Sequence, residues 1–111
     1  MSEDRVVLAV SSSYDRKYFF NQEFEGLPET VKEDIQVMLV MFTMEIGGIL
    51  TLAFDEEGTL LIESESDEED ILYDEIGGHL KIKQMAIDRR DLFESLEMFF
   101  KVFYLGEEME E

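Results

Sequence analysis

Residues Gly48 to Ser66 read GILTLAFDEEGTLLIESES. Leu50, Leu52 and Phe54 alternate with Ile49, Thr51 and Ala53, and beyond an acidic break Leu60 and Ile62 alternate with Leu61 and Glu63. A period of two sends each set to its own face of a pleated strand. Between the runs, Asp55-Glu56-Glu57-Gly58 has the composition of a type I turn closed by a residue of positive φ, which glycine adopts without a Cβ clash. The segment reads as a β-hairpin.

Upstream, Leu27-Pro28-Glu29-Thr30 opens a helix that Gly47-Gly48 close. Proline in the first turn loses no intrahelical bond, and Glu29, Glu33 and Asp34 suit the positive end of the helix dipole. Val31, Ile35, Met38, Leu39, Phe42 and Ile46 form a stripe at helical spacing that faces the core. Val37, Val40, Met41 and Met44 fall off that stripe, so the second half of this helix is apolar nearly all round and needs cover on more than one side.

Downstream, Ser66-Asp67-Glu68-Glu69 matches a capping box and predicts a second helix from Ser66, with Leu72, Ile76 and Leu80 on one face. Gly77-Gly78 weakens its middle by about 1 kcal/mol per glycine relative to alanine, so a kink or break is expected there. His79 to Ile87, HLKIKQMAI, also fits a strand. A third helix is predicted from about Asp88 to Leu105, carrying Leu92, Leu96, Phe99, Phe100 and Phe103 on one face, with Gly106 as its stop.

Toward the N-terminus, Arg5 to Ser11 (RVVLAVS) and Lys17 to Phe20 (KYFF) are β-branched and aromatic runs that read as extended segments. The order strand, strand, helix, hairpin, helix, helix gives an α+β fold: an antiparallel sheet of N-terminal strands plus central hairpin, packed against about three helices in two layers. A single domain over residues 1–111 is expected, with 1–4 and 107–111 as disordered tails.

The chain holds 28 acidic side chains against nine Lys plus Arg, one histidine and no cysteine, for a net charge of −19. Its 45% hydrophobic content separates it from a disordered polyanion. The charge repels phosphate backbones and anionic lipids, which argues against nucleic-acid and membrane partners and for a protein partner, either a second copy or a basic chain. The longest apolar run, Val37 to Phe42, is six residues, against the roughly 20 that a membrane helix needs. The acidic start Met1-Ser2-Glu3-Asp4 lacks the basic region of a signal peptide, and without cysteine there is no disulfide framework. A cytoplasmic location is expected.

Candidate chemistry is sparse. Glu75 and His79 are four residues apart, a spacing that puts both on one helix face, and Asp74 adjoins them as a third metal ligand candidate. Glu63, Glu65, Asp67, Glu68, Glu69 and Asp70 concentrate oxygen ligands that suit a hard cation, without the glycine and spacing of a calcium loop; such runs also simply serve helix N-termini and solubility. Ser11, Ser12 and Ser13 lack a nucleophile elbow, and neither glycine pair belongs to a phosphate loop. Phe93, Phe99, Phe100, Phe103 and Tyr104 are read as core rather than as a ligand pocket.

The phrases VVL, KYFFN, FEGLPETVKEDIQ, GGILTLAFDEEGTL, LYDEIGG, LKIKQ and LFESLEMFFKVFYLG together resemble a family of short, acidic, uncharacterised bacterial proteins known only as a domain of unknown function. The likeness runs from about Val6 to Gly106 and implies an intact domain without implying an activity. At fold level, the helix, the hairpin with its acidic turn and the helix after it are similar to type III secretion chaperones and related small dimeric modules, a resemblance that implies a protein-binding role.

Surplus apolar helix surface without a catalytic constellation leads to the expected function: a non-enzymatic interaction or chaperone-like module acting as a homodimer. Its expected interface is Val37, Val40, Met41, Met44, Met98 and Val102, with no catalytic residue and no cofactor. Two other functions fit the composition. One is a polyanion mimic that occupies the basic site of a nucleic-acid-binding protein, and the other is a divalent-metal hydrolase built on Asp74, Glu75 and His79.

Overall fold

The structure, a computed structural model, describes residues 5–106, so the expected tails lie outside the described residues. The alternating runs become strands β3 (Ile49–Phe54) and β4 (Leu60–Glu65), antiparallel with Leu52 opposite Ile62 and Phe54 opposite Leu60. Asp55 builds the turn: its carboxylate accepts from the amides of Glu57 and Thr59, both at 2.9 Å, and Gly58 takes a φ of 90°. The N-terminal run forms β1 (Val6–Ser12), set against β3 with Ala9 opposite Leu52 and Ser11 opposite Leu50. The register shifts between Val7 and Ala9, and the extra residue, Leu8, is wholly buried. With β2 (Lys17–Phe20) paired to β1, the sheet has four antiparallel strands in the order β2-β1-β3-β4.

Helix α1 (Glu29–Glu45) starts after Pro28 and stops where Gly47 and Gly48 adopt φ of 96° and 75°. Its Ile35, Leu39 and Phe42 are buried in one cluster with Leu50, Leu52 and Phe54 of β3. Helix α3 (Arg90–Phe99) adds Phe93 and Leu96 to that cluster beside β4, and Glu97 accepts a 2.8 Å bond from the Leu60 amide at the sheet edge. The result is the two-layer α+β architecture that the element order predicts.

The segment after the hairpin differs from its sequence reading. The capping box at Ser66 starts no helix; α2 spans Glu75–Asp88, with Asp74 as its N-cap accepting a 2.8 Å bond from the Gly77 amide. Residues 66–74 instead form turns in which Asp67 and Asp70 accept from the amides of Glu69 and Leu72 at 3.0 and 3.1 Å. Aspartate side chains compete with helical bonding for these amides, and consecutive carboxylates repel in a helix. Gly77-Gly78 lies in the first turn of α2 and breaks nothing, and His79 to Ile87 is helical rather than extended. Gly78 is there for contact: a Cβ would stand 3.2 Å from the Ile46 side chain and 3.2 Å from the Tyr73 hydroxyl.

The third helix also ends early. Beyond Phe99 the backbone widens into a π-helical turn, Phe100–Tyr104, with the Leu105 amide bonded to the Phe100 carbonyl at 3.0 Å. Wider winding turns Phe103 out of the apolar stripe, leaving it 74% exposed. Tyr104 stacks on Phe100 at 4.7 Å and on Phe24 at 5.8 Å, yet is itself 45% exposed. Phe103 and Tyr104 are therefore not buried core, whereas Phe93 and Phe100 are buried.

Candidate functional site

Helix α2 is apolar on two opposite sides. At about 100° per residue, Gly78, Ile82 and Met85 point one way and Ile76, Leu80 and Ile87 point the other. The first set packs inward: Gly78 is the one buried residue of the helix, and Ile82 and Met85 are half-buried against the core. The second set faces solvent, with Ile76 75% and Leu80 62% exposed, preceded by the equally bare Ile71 and Leu72. The shared face of Leu72, Ile76 and Leu80 thus belongs to the surface.

On the inward side of α2, facing α1, lies a groove lined by Val37, Met41 and Met85 and bridged by ion pairs. Lys81 meets Glu45 at 2.9 Å and Arg89 meets Asp34 at 3.2 Å. Of the residues expected at an interface, Val37 and Met41 are brought together here and are exposed. Val40 and Met44 line a different groove, on the β1 side of α1. Met98 is exposed on α3 and half-buried Val102 sits in the π-helical turn, and neither lines these grooves. The sequence places Leu72, Ile76 and Leu80 on one face of its second helix; the structure turns that face to solvent and packs Gly78, Ile82 and Met85 inward instead.

Asp74, Glu75 and His79 share the N-terminal half of α2, all exposed, with the Asp74 carboxylate engaged as the cap. Among the described residues, no three Asp, Glu or His side chains gather where one ion could bind them. In the acidic run, Asp67 and Asp70 meet Tyr14, whose hydroxyl donates to Asp70 at 2.5 Å and accepts from the Asp67 amide at 2.9 Å. The bond to Asp70 leads the causes that raise the Tyr14 pKa above the ordinary phenol value. This pair ties the β1–β2 turn to the loop before α2. Likewise, Lys32 is raised by its bonds to Glu25 and Glu29.

The groove on the β1 side of α1 has another character. Ser11 Oγ and Thr43 Oγ1 lie 2.8 Å apart in the buried floor, while Tyr18, opposite Ser11 in the sheet, keeps a buried hydroxyl that bonds no described residue. Burial pushes the Tyr18 phenol up to about 12.

Over residues 5–108 the chain matches the family of unknown function DUF6145. It belongs to that family. No curated protein and no solved structure matches it. The DUF6145 fold thus receives no support for its likeness to type III secretion chaperones, and among the described residues no strand stands between α2 and α3. No helix of the described residues is long and apolar enough to cross a membrane.

Proposed function

We propose that this DUF6145 protein is a non-enzymatic interaction module that acts as a homodimer, joined through apolar side chains left exposed on two helices, the outward side of α2 and Val37 and Met41 of α1. The observation that carries this reading is the bare stripe Ile76, Leu80 and Ile87 on a helix that buries a single glycine. A small monomer gains nothing by showing such a stripe to water, whereas a second chain covering it recovers roughly 25 cal/mol for each Å² of apolar area.

Charge selects the occupant. From Glu75 to Arg90 the chain has four cations (Lys81, Lys83, Arg89 and Arg90) against two acids (Glu75 and Asp88), and with Lys81 and Arg89 paired to Glu45 and Asp34 of α1 the surroundings of α2 are near neutral in a molecule of net −19. Two copies meeting here avoid most of their mutual repulsion. Antiparallel α2 helices related by a twofold axis set the acidic N-terminal turn of each against the basic C-terminal end of the other, which also aligns their dipoles favourably. The absence of cysteine accords with a reducing, cytoplasmic setting.

Sedimentation equilibrium tests the reading. The chain is expected at twice its monomer mass at micromolar concentration, more completely so as sodium chloride screens the residual repulsion. The double variant Ile76→Glu and Leu80→Glu is expected as a folded monomer. Wild-type protein that stays monomeric at high micromolar concentration contradicts the homodimer, and capture of a basic protein that salt releases replaces it with a heterologous partner.

A further inference from the structure

We infer that the groove between the β1–β2 hairpin and α1 binds a small monocarboxylate with an apolar body. This site lies on the opposite side of α1 from the α2 stripe, so it stands independently of the dimer. The groove measures about 590 Å³, the size of an ordinary small-molecule site. Its lining includes Arg16 and Lys17 and not one carboxylate, in a chain with 28 of them. Three smaller grooves among the described residues are each lined by three acids. Among the described residues, Arg16 and Lys17 form none of the ion pairs that engage Arg5, Lys32, Lys81 and Arg89.

The remaining lining sets the chemistry. Thr43 Oγ1 donates to a main-chain carbonyl, Leu39 at 3.3 Å or Val40 at 3.1 Å, and so accepts from Ser11; these floor hydroxyls satisfy each other. The Tyr18 hydroxyl is a buried donor with no partner among the described residues and is closed to the groove, so Tyr18 offers a ligand its ring rather than a hydrogen bond. Val40, Met44 and the Tyr18 ring give the walls their apolar character. Arg16 sits in the last position of the β1–β2 turn at a φ of 55°, a conformation in which glycine or asparagine is more at ease. The long-range field of a −19 protein repels an anion in proportion to the anion's charge, which favours a single carboxylate over a phosphate dianion or a nucleotide.

Octanoate, octanamide and inorganic phosphate, titrated into the isotope-labelled full chain by NMR, test the site. Octanoate is expected to bind saturably and shift amides of residues 11–18 and 40–44, with octanamide at least tenfold weaker and phosphate weaker still. The variant Arg16→Gly with Lys17→Gln is expected to melt no lower than wild type, since both side chains are exposed, and to lose at least tenfold in octanoate affinity. Tyr18→Phe, which removes a hydroxyl closed to the groove, is expected to melt as high or higher. No saturable octanoate binding, equal binding of octanoate and octanamide, phosphate binding as tight as octanoate, shifts centred elsewhere, or unchanged affinity in the cation variant would each overturn the proposal.

Discussion

Strand β3 and helix α2 are both rich in apolar side chains, yet they meet opposite fates. In β3, every residue from Leu50 to Phe54 is buried, on both faces of the strand, because it lies between β1 and β4 and under α1. In α2, which spans more than twice as many residues, Gly78 alone is buried, while Ile76, Leu80 and Ile87 stand in solvent. The inward side chains of the sheet, α1 and α3 cover one another. The far side of α2 does not, and an apolar surface that the fold leaves open is where another chain can gain free energy.

Substitutions sharpen this contrast. Phe54 is 1% exposed and stacks on Phe100 at 4.2 Å. Phe54→Ala is expected to cost about 3–5 kcal/mol in urea unfolding, enough to unfold much of the protein at ambient temperature. Gly48→Ala comes next, at about 2 kcal/mol or more, because its Cβ would lie 2.6 Å from the Glu65 carbonyl oxygen at a φ of 75°; the same unfolding curves measure it. A third test uses pH. Tyr18 titrates near 12 in the folded state against 10.0 unfolded, so the folded state holds its proton longer. Stability is then intact below pH 10 and falls as pH rises from 10 to 12, by about 1–2 kcal/mol after allowance for a half-buried ring. Tyr18→Phe is expected to remove that component of the alkaline loss. Smallest of all, Leu80→Ala is expected to change monomer unfolding by no more than about 0.5 kcal/mol, since its side chain already faces water; a core-sized loss at dilute concentration would place Leu80 inside the fold.

How far the sequence could be read follows the same division. The hairpin was legible because alternation, an Asp-led turn and Gly58 all agree, and α1 because Pro28 and Gly47-Gly48 mark its ends. Residues 66–74 were not, since a capping box and an Asx turn use the same residue types, and Asp67 and Asp70 chose the turn. The stripe Leu72, Ile76 and Leu80 was legible as a face, but not that it looks outward, because apolar residues on both sides of α2 blur the amphipathic period. The groove near Tyr18 was illegible for another reason. Ser11 and Thr43 are 32 positions apart in sequence, and only the pairing of β1 with α1 puts them 2.8 Å from each other.

The proposed role of α2 meets its most direct test in an isotope-filtered NOE experiment on a mixture of methyl-labelled and unlabelled protein at high micromolar concentration. Cross-peaks between chains from the methyl groups of Ile76, Leu80, Ile87 and Met41 are predicted. Spectra of the mixed sample that show none at these methyls, with the protein folded, would contradict it.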